Sequence, residues 1–463
     1  MNTSLLYVAL FLVVFLRLTL FKACQQCLTA SQVFQRSTLQ PKITVLDNGL
    51  KVVSENNGKP FATVGVWIDS GVSCENDANN GISNFLQHLF FKGTEKRTPT
   101  KLRNDLLKVG SRLSSYVDRD RVVIYINLVE SVDISAVDII ADVLLNSKFD
   151  NEAIELERCY IMKEIEVMEN DPLSGVFDLL HKAAFQETRM ERSLLGTLDT
   201  VKNLDRTMLK NFLAERYIAP RMALVGVGGV EHATLIDLSK KYFHGLKARS
   251  RHLPGESEIR FTGSEVRYRD DSLPYMYGAV AVEGFEFGHP DIIPLQVAQT
   301  IVGEWDQTVA HSKNLPSRLA RKVCSISDVL SYKCFLTTYK NCGLFGLYFT
   351  AKGENIAYLV TFLRAYMSTS VTDEDVECAK NMLKANIFGT MESNFGRADY
   401  IGRSVLISLG EIENRINAVN KKMIRDTVMR DVYDRDIVVS AIGRTEAFPD
   451  YLLLRCGMSW WRL

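Results

Sequence analysis

Gly81–Thr94 reads GISNFLQHLFFKGT. Its apolar residues recur at helical spacing, so Ile82, Phe85, Leu86, Leu89 and Phe90 share one face. Asn84, Gln87 and His88 follow one another at i, i+3 and i+4 and form an adjoining polar stripe. That is the spacing of an H-x-x-E-H helix, in which two imidazoles hold a zinc ion and a carboxylate stands beside the metal-bound water. Here Asn84 takes the place of the first histidine and Gln87 that of the glutamate. Within the motif, His88 alone keeps its donor.

Upstream of this helix, Ile43–Val53 (ITVLDNGLKVV) predicts a hairpin turned by Asp47, Asn48 and Gly49. Ala62–Ile68 (ATVGVWI) and Arg121–Leu128 (RVVIYINL) are β-branched and aromatic runs of strand length. Ser135–Leu145, Ala153–Glu169 and Arg206–Arg216 carry apolar residues at helical spacing. The second of these helices sets Glu157 and Glu164 on one face with Ile161 and Met168. An acid on an apolar face calls for a partner, such as a metal or a substrate amine, because desolvating it alone is costly. The plainer reading puts both glutamates at the edge of an amphipathic helix with their heads reaching water, and spacing alone favours it.

The order of elements repeats. Arg216 and Tyr217 followed by Met222–Gly228 (MALVGVG) are echoed by Val432 and Tyr433 followed by Ile437–Gly443 (IVVSAIG). Glu157–Ile165 finds a counterpart in Glu377–Ile387. An internal duplication is expected, giving an α+β fold of two homologous halves. The boundary falls near Ala248–Thr262, where Pro254, Gly255 and clustered charge interrupt the pattern. The expected division is an N-terminal segment 1–41, a first half 42–250, a joint 251–262 and a second half 263–463.

At 463 residues and 46% apolar, the chain has the material for two large cores. Its 55 Lys and Arg are balanced by 55 Asp and Glu, which excludes a nucleic-acid reading led by charge. Nine cysteines, an odd number in a long chain, suit a reducing compartment better than a disulfide framework. Cys24 and Cys27 form a C-x-x-C, but no second pair at zinc spacing supports it as a site. No acid precedes Asp47, whereas Arg17, Lys22, Arg36 and Lys42 are basic, a pattern that fits a mitochondrial targeting segment. Leu5–Leu16 (LLYVALFLVVFL) is apolar but too short to span a bilayer unaided. A secretory signal is the rival reading, and its usual basic start is missing from Met1–Ser4.

The hairpin, the NFLQH helix, ERCYIMKE at 157–164 and the repeated halves together resemble the pitrilysin-type inverzincin metallopeptidases. That family's motif is H-x-x-E-H followed by a distant Glu. Within it the chain is similar to the group that holds the mitochondrial processing peptidase β-subunit and the first core subunit of ubiquinol–cytochrome c reductase (complex III). The resemblance runs from about Ile43 to Leu463 and includes HLFFKGT at 88–94, VFDLLHKAAFQ at 176–186, RYIAPRMALVGVGG at 216–229 and GMSWWRL at 457–463. By resemblance, His88 matches the second zinc histidine, Glu164 the third ligand and Glu157 a supporting acid. Asn84 stands where the first ligand belongs, and Gln87 where the general base belongs.

An amide oxygen is a poor zinc ligand beside imidazole, and Gln87 cannot accept a proton at neutral pH. The expectation is therefore a chain with no catalytic residue, no bound metal and no cofactor, where active relatives use zinc. Val309, Ala310, His311 and Ser312 replace a glycine-rich loop of the family, and His311 is read as a surface residue, not as a substitute ligand. LSSY at 113–116 departs from the family at a strand edge. The resemblance implies a non-catalytic complex III core subunit serving assembly and respiratory electron transport, peripheral on the matrix side of the mitochondrial inner membrane. Its partners would be a homologous core protein 2 or processing peptidase α-type subunit, and other complex III subunits including the cytochromes. Two alternatives stay open: a β-type zinc endopeptidase cleaving presequences, and a protein that holds presequences without cutting them. The apolar C-terminus Tyr451–Leu463 (YLLLRCGMSWWRL) is a candidate either for a partner contact or for packing on its own half.

Overall fold

The computed structural model describes residues 41–129, 134–248, 258–309, 315, 317–324, 328–352, 371–404, 409–446 and 448–458. The first half runs β1 (Lys42–Val45), β2 (Lys51–Glu55), β3 (Ala62–Ile68), α1 (Ile82–Leu89), α2 (Pro99–Lys108), β4 (Arg112–Val117), β5 (Val122–Leu128), α3 (Ile134–Leu145), α4 (Asn151–Glu169), α5 (Pro172–Ala184), α6 (Leu198–Asn203), α7 (Arg206–Arg216), β6 (Met222–Gly228) and α8 (His232–Tyr242). The second runs β7 (Glu265–Arg269), β8 (Met276–Gly284), α9 (Ile292–Val302), β9 (Glu304–Asp306), α10 (Arg318–Val323), β10 (Val329–Thr338), β11 (Gly343–Ala351), α11 (Asp373–Glu392), α12 (Asn394–Ser404), α13 (Leu409–Ala418), α14 (Lys421–Asp431), β12 (Ile437–Gly443) and α15 (Tyr451–Gly457).

The two sheets have the orders β1-β2-β6-β3-β5-β4 and β7-β12-β8-β11-β10-β9. Setting aside the edge strands β1 and β9 leaves the same five-strand pattern twice. In each, one outer strand runs parallel to its neighbour, β2 to β6 and β7 to β12, and every other pairing is antiparallel. The duplication expected from the sequence is thus built into the sheets. The expected hairpin pairs Ile43 with Val53 across a turn in which Gly49 takes φ 92°. Gly228 and Gly443, which close the matching strands, adopt φ of 112° and 101°. A Cβ on either would meet a backbone oxygen, of Phe61 or of Tyr275, at 2.0 or 2.3 Å, so both positions require glycine.

Strand β3 is buried along its whole length because both faces of its sheet are covered. Alternate residues divide between two cores. Val64, Val66, Ile124, Ile126 and Leu224 meet α1, α3 and their neighbours. Trp67, Val123, Ala223 and Val225 face the other way and meet Ala398 and Ile401 of α12, a helix contributed by the second half. The exchange is reciprocal: α5 of the first half packs on β12, β8 and β7, with Val176 and Leu180 against Ala279, Ala281 and Val438. Gly402 lets α12 come close, since a Cβ there would stand 2.5 Å from the Trp67 ring.

Polar bonds lock the exchange. Arg397 of α12 forms a buried bidentate pair with Glu55 of β2, at 2.8 and 2.6 Å. Asp399 accepts from Trp67 Nε1 at 3.0 Å and from the Tyr116 hydroxyl. Ser440 Oγ of β12 donates to the Val176 carbonyl of α5 at 2.9 Å. His181 is fully enclosed, and burial holds its imidazole well below the usual range and hence neutral. Its Nδ1 donates to the Phe177 carbonyl, so Nε2 accepts from the Tyr339 hydroxyl of the second half, each at 2.7 Å.

The C-terminal helix α15 packs on its own half: Leu454 is buried, Tyr451 donates to the Ile437 carbonyl, and Arg455 pairs with Asp434 and Asp436. Leu452 and Leu453 stay exposed on its outer side. Residues 459–463 lie outside the described residues, as do Leu5–Leu16, Cys24, Cys27, His311 and most of the expected 251–262 joint.

Candidate functional site

Helix α1 is fixed from two sides. Its five apolar residues, Ile82, Phe85, Leu86, Leu89 and Phe90, are at most 2% exposed and belong to the first core. Its first turn begins at Gly81, which has no side chain to cap it. The cap comes from Glu75, whose carboxylate accepts from Gly81 N at 2.7 Å, Ser83 N at 2.9 Å and Asn80 Nδ2 at 2.9 Å. Burial pushes the Glu75 carboxyl up to about 6, against the opposing pull of these donors. Nothing in the sequence pattern singles out Glu75, because a cap six residues ahead of a glycine has no periodic signature.

The polar stripe of α1 faces α4 and the edge strand β4. Gln87 Nε2 donates to the Ser115 carbonyl at 3.2 Å, so the residue in the base position is engaged with the sheet edge. His88 lies between two carboxylates: Nδ1 is 3.1 Å from Glu157 Oε2, and Nε2 is 3.3 Å from Glu164 Oε2. Lys92, just past the end of α1, places Nζ 2.5 Å from the other Glu157 oxygen. The contact with Glu164, then that with Glu157, raises the His88 pKa against the effect of burial. Reciprocally, His88 holds the Glu164 carboxyl low, with a smaller contribution from Asn84. With His88 protonated, two cations face two anions and the cluster is charge-balanced as it stands.

The helix-edge reading of the two glutamates needs correcting for Glu157. Its side chain is 3% exposed, while that of Glu164 is 47% exposed. The approach of α1 buries Glu157, and the His88 and Lys92 charges compensate its desolvation. Lys92 is the member that sequence reasoning missed; it lies four residues past His88, beyond the end of α1, where helical spacing no longer places a side chain.

Two donors remain at zinc-ligand spacing. Ligands about 2.1 Å from a tetrahedral ion lie roughly 3.4 Å apart, close to the 3.3 Å between His88 Nε2 and Glu164 Oε2. The third corner fails. Asn84 is buried there, and its amide nitrogen has no hydrogen-bond partner of normal geometry among the described residues. Among those residues no three His, Cys, Asp or Glu side chains converge as a metal site. The donor set therefore does not fit a catalytic zinc, which needs three protein ligands and an open position.

Residues 51–198 match the family model described as Insulinase (Peptidase family M16), and residues 203–383 match Peptidase M16 inactive domain. The chain is 38% identical to the Caenorhabditis elegans protein named cytochrome b-c1 complex subunit 1, mitochondrial, over 92% of this chain and 93% of that one. It is 36% identical to the mitochondrial-processing peptidase subunit beta of Bos taurus, over 91% of this chain and 88% of that one. Among solved structures it is similar to a chain of complex III from Candida albicans with Inz-5 bound, with a TM-score of 0.79 and 25% identity, covering 90% of this chain and 99% of that one. The duplicated sheets, the placement of the α1 stripe and these similarities agree: the chain belongs to peptidase family M16.

Proposed function

We propose that this chain is a non-catalytic core subunit of mitochondrial ubiquinol–cytochrome c reductase. The observation that carries the reading is the substituted stripe, with Asn84 and Gln87 in the ligand and base positions beside a His88, Glu157, Glu164 and Lys92 cluster that balances its own charge. Such a site can neither hold a three-ligand zinc nor activate water, while the fold around it stays intact. The role is structural, supporting assembly of the respiratory complex. The partners are a homologous core protein 2, or an α-type processing subunit, together with the cytochrome-bearing subunits.

The location proposed is peripheral, on the matrix side of the mitochondrial inner membrane, after removal of a targeting segment within residues 1–41. Among the described residues no helix is long and apolar enough to cross a membrane. We assign 42–250 and 263–463 to the two halves, with 251–262 as the joint. Native separation of detergent-solubilised mitochondria tests the reading: the chain should co-migrate with cytochromes b and c1. A second reading, a β-type processing peptidase, draws on the His88 and Glu164 donors still at ligand spacing. Co-purification with an α-type subunit, together with presequence cleavage, would replace the first reading with the second.

A further inference from the structure

We propose that the junction of the two halves binds a single-chain anionic amphiphile, an alkyl chain carrying one carboxylate or phosphate head. Two cavities that share a wall carry the inference. The first, of about 280 Å³, opens where β2, β3 and β6 reach the edge of the first half and is closed by Phe287 and the C-terminal end of α12. Lys51, Arg121, Arg221, Lys340 and Arg403 line it, against a single acid, Asp69. The second, of about 310 Å³, lies among α9, α11, α12 and α13 and is walled mainly by Ile292, Ile293, Ile387, Met391, Tyr400 and Ile412. Phe287 and Arg403 belong to both linings, so the two cavities adjoin, and the proposed ligand would set its head in the first and its chain in the second past these two side chains.

The charges around the first cavity show which cations are available. Arg403 is taken by Asp399 at 2.9 Å and lies 3.8 Å from Asp118. Lys340 Nζ pairs with Asp69 at 3.0 Å, and its backbone N–H is accepted by Asp120 at 2.7 Å. Arg221 donates to the Asp69 carbonyl at 3.3 Å. Arg121 and Lys51, by contrast, enter no direct ion pair among the described residues; Arg121 feels only the charge of the adjacent Asp120, and Lys51 adds a further cation at the rim. A half-buried guanidinium whose hydrogen-bond donors engage no carboxylate favours an anion beside it, through charge-assisted hydrogen bonds. The adjoining apolar cavity is at the small end of the size range for ligand sites, about 300–1,000 Å³, so it suits one alkyl chain and not a two-chain lipid.

Calorimetric titration of the purified full chain tests this, with dodecanoate and dodecyl phosphate kept below micelle formation. Dodecyltrimethylammonium, butyrate and inorganic phosphate serve as comparators. One molecule of each anionic amphiphile should bind per chain, at least about tenfold tighter than any comparator. Arg121→Gln should weaken dodecanoate by about tenfold. Thr390→Phe, at an exposed position on the rim of the second cavity, should weaken it by obstructing the chain. If Arg121→Gln fails to fold, the exposed Lys51→Gln takes its place. Equal affinity for the cationic amphiphile, or for inorganic phosphate, would overturn the proposal. So would loss of binding to soluble dodecanoate alongside capture by vesicles of phosphatidate, or dodecanoate affinity that stays within about twofold in all folded variants.

Discussion

Restoring Asn84→His and Gln87→Glu together should convert the chain into a zinc binder, and the structure sets the size of the gain. His88 Nε2 and Glu164 Oε2 are already 3.3 Å apart, the edge that two tetrahedral ligands span. Asn84 sits one turn before His88, buried, with an amide nitrogen that makes no regular hydrogen bond among the described residues. An imidazole there forfeits little and completes the third corner. Losing even an outer-shell partner costs a metal site roughly 10–100-fold in affinity, so gaining a first-shell ligand should be worth at least about 100-fold, or roughly 3 kcal/mol. Metal analysis after dialysis gives the stoichiometry, and competition with a chromogenic chelator gives the affinity. The wild-type chain should carry no stoichiometric zinc and the double variant about one per chain. Gln87→Glu alone should add none, because that position serves the water and not the metal. A wild-type chain that retains one tightly held zinc, or a folded double variant that binds no better than wild type, would refute the reasoning. Peptidase activity in the double variant should remain low, since Val309–Ser312 still departs from the family's loop.

Three further outcomes are expected. Arg397→Met leaves Glu55 charged and buried without its partner, which should cost about 3–5 kcal/mol in denaturant unfolding, whereas pairing it with Glu55→Met should recover most of the loss; a single variant within about 1 kcal/mol of wild type would contradict the burial of this pair. Glu75 is raised to about 6 from 4.5 by burial, so its contribution to stability is present below pH 4.5 and is lost as pH rises through 6; relative to Glu75→Gln, the wild-type chain should lose about 2 kcal/mol from well below the first value to well above the second, and a pH-independent difference would exclude the shift. A full-length fusion expressed in cells should be imported into mitochondria, sediment with the inner membrane and be released from it by alkaline carbonate, as a peripheral protein is; secretion, or glycosylation at Asn2, would defeat the targeting reading of the acid-free N-terminus.

The legible parts of the fold were those governed by local pattern. Strands β3, β6 and β12 carry continuous apolar, β-branched runs because both faces of their sheets are covered, and the runs end at the same residues in sequence and structure. Helices α4 and α7 followed from their spacing, with α4 beginning two residues earlier, at Asn151. The exchange of α5 and α12 was not legible. Asn394–Ser404 (NFGRADYIGRS) offers only a narrow apolar stripe, and a stripe states that a helix is covered without naming the sheet that covers it. The same gap explains Glu157. Spacing placed it correctly on α4, but its burial depends on how close α1 comes and on Lys92, neither of which is encoded within α4.

The geometry also separates the polar stripe of α1 from what anchors the helix. Positions 84 and 87 lie on the stripe of α1 that faces α4 and β4, while the helix is anchored by five apolar residues on a different face and by the Glu75 cap. Neither position 84 nor position 87 belongs to the apolar core that anchors the helix. The remaining His88, Glu157, Glu164 and Lys92 satisfy one another as paired charges, so no metal is needed to offset the buried carboxylate. What the fold does depend on is the mutual exchange of α5 and α12, with the Glu55–Arg397 pair on one side and the His181–Tyr339 and Ser440–Val176 bonds on the other. Each half covers a face of the other's sheet, which ties the two together through packed and hydrogen-bonded contacts. That exchange leaves the α1 stripe untouched and persists whether or not the stripe can bind zinc.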